Sequence, residues 1–537
     1  MRKYLLLLIC IVLTTNIDAQ ELIRGPYLQS LAQTSIKVIW RTDAPAIGSI
    51  EVASEPGGSV IFTAQNDTLI KDHILLVDGL QPETVYYYRI KADDNYLTEW
   101  QPSHHFKTSS YTTEQLSFWV TGDFGSGNQK QINVRNAFEN DVTPNFPDFW
   151  LWLGDNAYDD GKDYEFQDKV FTPPYGYDSL LTFLPFYPVP GNHDYKSVNM
   201  FSPPPQHKGP YFDIVEVPQN GEAGGLPSNT ELYYSFDYGN AHFVAINSEA
   251  FAYTFFKNSV MEQWLEADLA ASDKLWKIVY WHQPPYSKGS HDSDLFYEIF
   301  MKAMRDNYTR VVERMGVDMV LCGHSHVYER SHLIRGHYGK SGSFKPEMFI
   351  DNEPPYVKYI DGDSANYGTM YIVEGNSGKG EGDAPGGHPI FAATDYGDDA
   401  VGSLMINIDK NVLTGRYIQG NGEIGDEFTI TKVLRDSSVI TNVVSTYLET
   451  FNVYPNPAKD ELHIDFSIKK ALPVSFQIIG VDGKMFLNEK GTTYPAGANT
   501  KVIHLSKLNM PTGSYIVKIG GGEGDQSWMQ ETLIKVK

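Results

Sequence analysis

The spacing of hydrophobic and polar positions changes along the chain. Between residues 21 and 108, short alternating runs such as Ser35 to Trp40 and Val85 to Ile90 are separated by polar turn clusters. Alternation with a period of two predicts half-buried strands, and several such strands between turns indicate a small all-β sandwich. A sandwich by itself carries no chemistry, so the catalytic candidates are expected further along the chain.

A different pattern runs from residue 114 to residue 433. Apolar runs of strand length alternate there with helical stretches such as Val260 to Ala271 and Tyr308 to Met315, which predicts an α/β domain. Residues 434–451 are rich in Ser, Thr and Asn and are predicted to be a linker, and residues 452–537 return to short strands with glycine-containing turns. We therefore predict a multidomain chain, an α/β sandwich flanked by two all-β sandwich domains.

The first 19 residues have the pattern of a cleaved signal peptide. Arg2 and Lys3 precede an apolar stretch from Tyr4 to Leu13, and small residues lead to Gln20. The apolar stretch is far shorter than the ~20 residues that a membrane-spanning helix needs, so we expect a secreted protein without a transmembrane anchor. Removal of the leader would leave Cys322 as the one cysteine and would exclude an intrachain disulfide.

The chain is strongly acidic, with a formal net charge of −24. Nucleic-acid binding by counterion release needs basic stripes, and the sequence has none that we can identify. A phosphate substrate would therefore need positive charge supplied locally, and in an acidic protein bound metal ions are the natural source.

Apolar runs of the central region end in short polar segments that contain Asp, Asn or His. Five such ends occur: Phe118–Thr121 before Gly122-Asp123, Phe149–Leu153 before Gly154-Asp155-Asn156, Phe186–Pro190 before Gly191-Asn192-His193-Asp194, Ile278–Trp281 before His282, and Met319–Cys322 before Gly323-His324-Ser325-His326. Functional groups gather beyond the carboxyl ends of strands in α/β sheets, so we expect these segments to converge. Oxygen and imidazole donors without a thiolate suit Fe, Zn or Mn, and two such ions can share a carboxylate and activate a nucleophile against a phosphoryl group.

These segments resemble the calcineurin-like metallophosphoesterases, and two details resemble the purple acid phosphatases in particular. Gly125 stands two positions after Asp123, where most metallophosphoesterases have a ligand His, and Tyr158 stands three positions after Asp155, where the purple acid phosphatases have a phenolate ligand of ferric iron. The segment from Gly323 to Arg330 is also similar to that subfamily.

The resemblance implies a binuclear centre of Fe(III) and a divalent ion, which would be Zn, Mn or Fe. The implied ferric ligands are Asp123, Tyr158 and His326, the implied bridge is Asp155, and the implied ligands of the divalent ion are Asn192, His282 and His324. An unperturbed tyrosine has a pKa near 10, so a phenolate at acid pH by itself favours a strongly polarising cation. The implied activity is that of an acid phosphatase, which hydrolyses phosphate monoesters with a metal-bridging hydroxide.

His193 and His291 match positions that contact the phosphate or protonate the leaving group in the family, which makes them the implied catalytic residues. One departure concerns Asp194, because purple acid phosphatases more often carry Glu there, and a hydrogen bond to His193 would have a shorter reach. The long connection from Ser197 to Glu231 either shapes the substrate pocket or covers a sheet edge.

The flanking regions also resemble known domains. Residues 21–108 resemble the fibronectin III-like domain that precedes the catalytic domain in larger purple acid phosphatases. Residues 452–537 resemble the C-terminal sorting domains of the type IX secretion system, with Val453-Tyr454-Pro455-Asn456-Pro457 at the start and Glu531 to Lys537 at the end. This resemblance implies export to the cell surface or the medium, with the secretion machinery as a partner.

Two other functions remain open from the sequence. A phosphodiesterase or nucleotidase of the same superfamily would use two divalent ions, and Gly125 and Tyr158 argue against it. A noncatalytic surface adhesin would retain the central domain as a relic, and the intact set of ligand types argues against that. Comparing the turnover of monoesters and diesters would distinguish an acid phosphatase from the first alternative. Metal analysis would distinguish it from the adhesin.

Overall fold

The computed structural model describes residues 20–202, 207–361, 365–382, 387–434, 448–455, 458–480, 485–508, 510–511, 513–521 and 528–536. The predicted signal peptide, most of the predicted linker, and Asn456, Pro457 and Lys537 of the sorting motifs lie outside these residues. The chain forms two compact units, residues 1–432 and 433–537. Among the described helices, none has the length and apolar character that a membrane crossing requires.

The first unit begins with eight strands, which confirms the predicted N-terminal β-sandwich. Strands β1 to β8 are Leu22–Gln29, Ile36–Ala46, Gly48–Ala53, Val60–Gln65, Ile70–Val77, Val85–Ala92, Asn95–Tyr96 and His105–Lys107. One sheet has the order β1-β2-β5 and the other the order β4-β3-β6-β7, with β8 paired to β6. Alternate residues of β6 are buried, as the alternation of its sequence predicts, and Trp40 and Tyr88 are fully buried between the strands.

Hydrogen bonds tie these strands to the central part of the same unit. The hydroxyl of Tyr27 donates to the carbonyl of Ile214 at 2.9 Å, and the hydroxyl of Tyr88 donates to the carbonyl of Thr182 at 2.7 Å. The predicted boundary between residues 108 and 114 falls inside this compact unit and stays a prediction.

The central part is an α/β sandwich, as predicted. Strands β9 to β24 are Gln115–Thr121, Phe149–Trp152, Phe186–Pro188, Tyr234–Tyr238, Ala241–Ala245, Trp276–Tyr280, Met319–Cys322, Tyr328–Ser331, Leu333–Ile334, Phe349–Asp351, Tyr356–Tyr359, Met370–Glu374, Phe391–Asp395, Gly402–Asp409, Val412–Gln419 and Ile424–Val433. Helices α1 to α8 are Gln129–Val142, Asp163–Phe166, Asp178–Leu181, Pro210–Ile214, Phe251–Thr254, Val260–Ala271, Ile299–Asn307 and Thr309–Arg314. Helix α6 has the limits that its hydrophobic spacing predicts, because Ser259 caps its first turn by accepting from the backbone N–H of Glu262.

Two seven-stranded sheets within the described residues form the layers of this sandwich. Their strand orders are β11-β10-β9-β22-β23-β24-β19 and β12-β13-β14-β15-β20-β16-β21. Aromatic rings pack between them, for example Phe118 of β9 against Phe243 of β13 at 5.2 Å between ring centroids. Strands β9, β10 and β11 run parallel in one sheet and β14 and β15 run parallel in the other, so the five predicted polar segments leave two facing sheets at the same edge.

The long connection between Ser197 and Glu231 packs on two neighbours. Ser30 of the N-terminal strands donates to the carbonyl of Glu216 at 2.6 Å, and the backbone N–H of Leu226 donates to Asp268 of helix α6 at 2.7 Å. These described residues of the segment therefore pack on the N-terminal part of the unit and on helix α6.

The second unit is all-β, as predicted. Strands β25 to β31 are Leu448–Tyr454, Glu461–Ile468, Leu472–Gly480, Met485–Tyr494, Gly497–His504, Gly513–Gly521 and Trp528–Val536. They form sheets with the orders β25-β26-β29 and β28-β27-β30-β31 around buried Ile464, Phe476 and Val517. The predicted linker extended to residue 451, and this was wrong at its end, because Leu448 is buried in this core and already belongs to β25.

Candidate metal centre

The polar segments leave their strands through unusual backbone conformations. Asp123, Asp155 and His324 have φ values of 58°, 50° and 69°, in the left-handed region that side chains other than glycine rarely adopt. Such strain persists only where the surroundings enforce it and is concentrated at functional sites. Close backbone approach also enforces glycine at the neighbouring position 191, where a Cβ atom would lie 2.2 Å from the backbone nitrogen of Asp155.

Three buried side chains form one side of the cluster. The hydroxyl of Tyr158 donates to Oδ1 of Asp123 at 2.8 Å and lies 3.2 Å from Nε2 of His326. The same nitrogen of His326 lies 3.5 Å from Oδ1 of Asp123. A phenol oxygen, a carboxylate oxygen and an imidazole nitrogen therefore face one another.

Another three side chains form the other side. Oδ1 of Asn192 lies 3.1 Å from Nε2 of His282 and 2.9 Å from Nδ1 of His324. The remaining ring nitrogen of His282, Nδ1, lies 2.9 Å from the carbonyl of Leu153, and this contact orients the ring.

Asp155 lies between the two sides. Its Oδ1 is 3.4 Å from Nε2 of His282, and the donor atoms of Asp123, Asp155 and His282 all lie within 4.8 Å of one another. The structure therefore brings together the seven side chains that the sequence singled out.

The electrostatics of the cluster resist a free phenolate. Burial and the charges of Asp123 and Asp155 raise the pKa of Tyr158 well above its ordinary value. Burial also opposes ionisation of Asp123, but the charges of His282 and His326 outweigh it and lower the pKa of Asp123 to about 2. A phenolate therefore needs a strongly positive neighbour, and the carboxylates beside it are the groups that would hold one.

Position 125 has no room for a side chain. A Cβ atom on Gly125 would lie 1.8 Å from the carbonyl oxygen of Asn156, and the carbonyl of Gly125 itself accepts from the backbone N–H of Tyr158 at 2.9 Å. A histidine at this position would clash with the turn that presents Tyr158, so the two features of the sequence have one structural origin.

His193 borders the cluster beside Asp155. Its Nε2 lies 3.9 Å from Oδ2 of Asp155, and its ring lies 4.3 Å from the ring of Tyr158. Nδ1 donates to the carbonyl of Asp159 at 2.6 Å, which leaves Nε2 as the nitrogen on the side of the cluster.

His291 borders the cluster from the other side. Its ring lies 3.9 Å from the ring of His324, and its Nδ1 lies 2.9 Å from Oε1 of Glu298. The second oxygen of Glu298 lies 4.0 Å from Nε2 of His324. Glu298 therefore holds the loop histidine against the cluster.

The carboxylate of Asp194, which is shorter than the Glu more common at this position, binds neighbours other than His193. Its buried carboxylate accepts from the backbone N–H of Gly191 at 2.8 Å and from the side-chain amide of Asn156 at 2.9 Å. The shorter side chain ties two strand ends to each other, and the carbonyl of Asp159 takes the place of a carboxylate beside His193.

Four residues at the cluster were missed from the sequence: Lys196, Glu298, Lys379 and Glu381. Oε1 of Glu381 lies 2.8 Å from Nδ1 of His326, and the ammonium of Lys379 lies 3.5 Å from the centroid of the Tyr158 ring. The sequence does contain a signal for Lys379 and Glu381. The apolar strand Met370–Glu374 is followed by Gly375-Asn376, which repeats the pattern of the other strand ends. Glu298 and Lys196 follow no comparable pattern.

Three family descriptions match the chain. Residues 116–328 match the calcineurin-like phosphoesterases, residues 25–108 match the N-terminal domain of purple acid phosphatases, and residues 452–535 match the secretion system C-terminal sorting domain. The last match confirms the predicted sorting domain and indicates export to the cell surface or the medium.

Individual proteins that are similar to the chain include purple acid phosphatases. The chain is 29% identical over 296 residues to purple acid phosphatase 23 of Arabidopsis thaliana, covering 49% of this chain and 58% of that protein. It is 27% identical over 292 residues to purple acid phosphatase 15 of the same plant, covering 49% of this chain and 50% of that protein. The chain thus spans about half the length of these curated relatives.

A solved structure shares the fold. The purple acid phosphatase PPD1 from yellow lupin seeds superposes with a TM-score of 0.55 at 18% identity, over 78% of this chain and 74% of that one. The calcineurin-like phosphoesterase domain implies a binuclear metal centre, and the cluster at the strand ends supplies donors for it.

Proposed function

We propose that this chain, which belongs to the purple acid phosphatase type of calcineurin-like phosphoesterases, is an exported acid phosphatase that hydrolyses phosphate monoesters. The observation that carries the proposal is the convergence of two groups of three donors on the shared carboxylate of Asp155. A structural role alone would not collect buried carboxylates, a phenol and three imidazoles at one sheet edge.

The donor set fits a pair of cations. Asp123, Tyr158 and His326 would hold Fe(III), Asn192, His282 and His324 would hold a divalent ion of Zn, Mn or Fe, and Asp155 would bridge them. The raised pKa of Tyr158 supports iron at its position, because only a strongly polarising cation stabilises a buried phenolate between two carboxylates. When bound, the two ions would supply Lewis acidity toward the phosphoryl oxygens and would lower the pKa of a water molecule to generate the nucleophile.

The chain's own residues account for substrate binding and proton transfer. Nε2 of His193 lies beside Asp155, and the imidazolium form would donate from this nitrogen to a phosphoryl oxygen while Nδ1 donates to the carbonyl of Asp159. The ammonium of Lys196, which donates to the carbonyl of Asp159 at 2.9 Å, adds positive charge on the same side. The substrate phosphate would therefore meet positive charge at the cluster although the chain as a whole is acidic.

His291 is the proposed general acid. Because Glu298 accepts from Nδ1, the transferable proton of the imidazolium lies on Nε2, and transfer of that proton would neutralise the departing alkoxide. The C-terminal sorting domain would be recognised by the type IX secretion machinery, which we propose as the partner of export.

The direct test is turnover by the purified chain of phosphate monoesters and diesters between pH 5 and pH 7, with metal content measured on the same sample. The proposal predicts higher kcat/KM for monoesters and loss of turnover in Asp155→Asn. Preferential diester hydrolysis would support the phosphodiesterase alternative instead, and a metal-free protein without turnover would support the adhesin.

A further inference from the structure

Exposed aromatic side chains occur in the two segments that follow His193 and His291 in the chain. Phe296 is 85% exposed and Phe201 is 70% exposed, more than any other aromatic side chain in the part of the chain that the structure describes. Tyr297, next to Phe296, is 58% exposed. Exposed apolar groups that collect at one place mark an interaction site more often than isolated ones do.

The loop that carries Phe296 and Tyr297 is closed by a contact at the active site. His291 and Glu298 lie at its two ends, and their 2.9 Å contact brings the ends together. Phe296 stands two positions before Glu298, so the Cα atoms of these residues are at most about 7 Å apart. The aromatic pair therefore stands at the side of the cluster where the proposed general acid lies.

A series of ring contacts connects helix α7, which begins directly after this loop, with Phe201. Phe300, in the first turn of helix α7, lies 4.8 Å from Phe255, which lies 4.6 Å from Phe251. Phe251 in turn lies 5.2 Å from Phe201, which follows the segment that carries His193. The aromatic strip is defined as Phe201, Phe251, Phe255, Phe300, Phe296 and Tyr297: the first four are connected by ring contacts, and the last two lie four and three positions before Phe300 in the chain.

The two ends of a bound ester would meet different chemistry. The phosphate belongs at the cluster, while the leaving group belongs on the side of the residue that protonates it, which is the side of Phe296 and Tyr297. Flat rings gain from stacking on aromatic side chains, whereas a polyol gains little from the same surface. The rings of Phe296 and Tyr297 are tilted by 78° to each other at 5.4 Å, so they offer a face and an edge.

We propose that Phe296 and Tyr297 are specificity-determining residues that favour phosphate monoesters whose leaving group carries a planar aromatic or heteroaromatic ring. This inference rests on the proposed phosphatase function and adds the class of leaving group. Both an aryl alcohol and a nucleoside carry such a planar ring. Their phosphate esters differ in the distance between the ring and the phosphate.

The test compares matched substrates in matched variants. Adenosine 5′-monophosphate against ribose 5-phosphate differs by the heteroaromatic base at an identical ester bond, and phenyl phosphate against cyclohexyl phosphate differs by ring aromaticity. The ratio of kcat/KM within each pair is measured for the wild type, Phe296→Ala combined with Tyr297→Ala, Phe296→Trp, and Tyr111→Ala. Tyr111 is a control because it is 58% exposed, like Tyr297, and lies in the connection before strand β9.

The double alanine variant is expected to lower at least one of the two ratios by about three- to ten-fold. Phe296→Trp is expected to keep or raise that ratio, and Tyr111→Ala to leave both ratios as in the wild type. A fall in the nucleotide pair alone assigns the strip to nucleosides, and a fall in the phenyl pair alone assigns it to aryl esters.

Equal losses on all four substrates, or unchanged ratios in the double variant, would overturn the inference and leave the phosphatase function intact. Absence of turnover by the wild type on every ester would instead overturn the proposed function itself. The melting temperature of each variant, measured beside the ratios, separates loss of fold from loss of selectivity, because an unfolded fraction lowers turnover of all substrates by one factor.

Discussion

The phenol oxygen of Tyr158 lies 2.8 Å from Oδ1 of Asp123, and both side chains are almost fully buried. In Tyr158→Phe this oxygen is lost while the ring still fills its space. We expect the variant to lose the visible absorption of an iron–phenolate centre, to retain about one metal ion fewer, and to lose about 100-fold or more in kcat.

Tyr88→Phe is the matched control for this substitution. The hydroxyl of Tyr88 is buried, like that of Tyr158, but it donates to the carbonyl of Thr182, away from the cluster. We expect about 1 kcal/mol of destabilisation with metal content and kcat retained. Retention of the visible band by Tyr158→Phe would remove Tyr158 from the proposed ferric site.

The second prediction concerns Gly125. In Gly125→Ala the new methyl group would lie 1.8 Å from the carbonyl of Asn156, so the turn that presents Tyr158 must move. We expect a loss of stability of about 1–3 kcal/mol and weaker metal retention, measured by chemical denaturation and by metal analysis after dialysis. Gly342→Ala is the control, since a Cβ atom there meets nothing within 4 Å. Equal behaviour of the two variants would contradict the steric explanation for the absent histidine.

A third prediction separates the two proposed catalytic histidines. If His291 protonates the leaving group, His291→Asn should lower kcat by about 10²–10⁴-fold for alkyl phosphates and much less for esters of acidic phenols, which depart without a proton. His193→Asn should lower turnover by a similar factor for both, because the phosphate that His193 contacts is common to them. Identical dependence on the leaving group in the two variants would reject this division of roles.

A fourth prediction concerns stability against pH, through a buried histidine remote in sequence from the cluster. His242 lies 2.7 Å from Asp237 and 2.9 Å from Asp268. Burial lowers the pKa of His242, but the two carboxylates outweigh burial and raise the pKa to about 9. The folded-state pKa lies above the ordinary value of about 6.5, so the imidazolium stabilises the fold fully below pH 6.5 and loses this effect as the pH rises through 9.

The size of this effect is about 3 kcal/mol. It is measured as the difference in free energy of unfolding between the wild type and His242→Asn at several pH values. We expect that difference to be largest near pH 6, to shrink as the pH rises from 6.5 to 9, and to be lost above pH 9. A difference that stays constant between pH 6 and pH 10 would show that His242 stabilises the fold without its charge.

The sequence predicts the donor groups of the site well because each is tied to a local pattern. The buried strand Met319–Cys322 ends where the sequence changes from apolar to polar residues, and Gly323 allows the sharp turn at this point. The polar residues His324 and His326 that follow can therefore be identified as candidates from the sequence alone. Helix α6 is predictable for a similar reason, since a Ser cap and apolar spacing fix both its start and its buried face.

The sequence does not show which residues of other segments contact these donor groups. Glu298 contacts His291 across a loop, and Glu381 contacts His326 from a glycine-rich segment, and neither spacing is periodic. The contacts of Asp194 were not predicted either, because the spacing does not show that its carboxylate reaches Gly191 and Asn156. The aromatic strip depends on exposure, which a sequence does not report for single residues.

Metal analysis of the purified wild-type chain, with its visible absorption spectrum and its phosphatase activity recorded on the same sample, tests the central claim most directly. The account predicts two metal ions per chain, at least one of them iron, together with a visible charge-transfer band. Full activity in a colourless protein that contains no iron would contradict it.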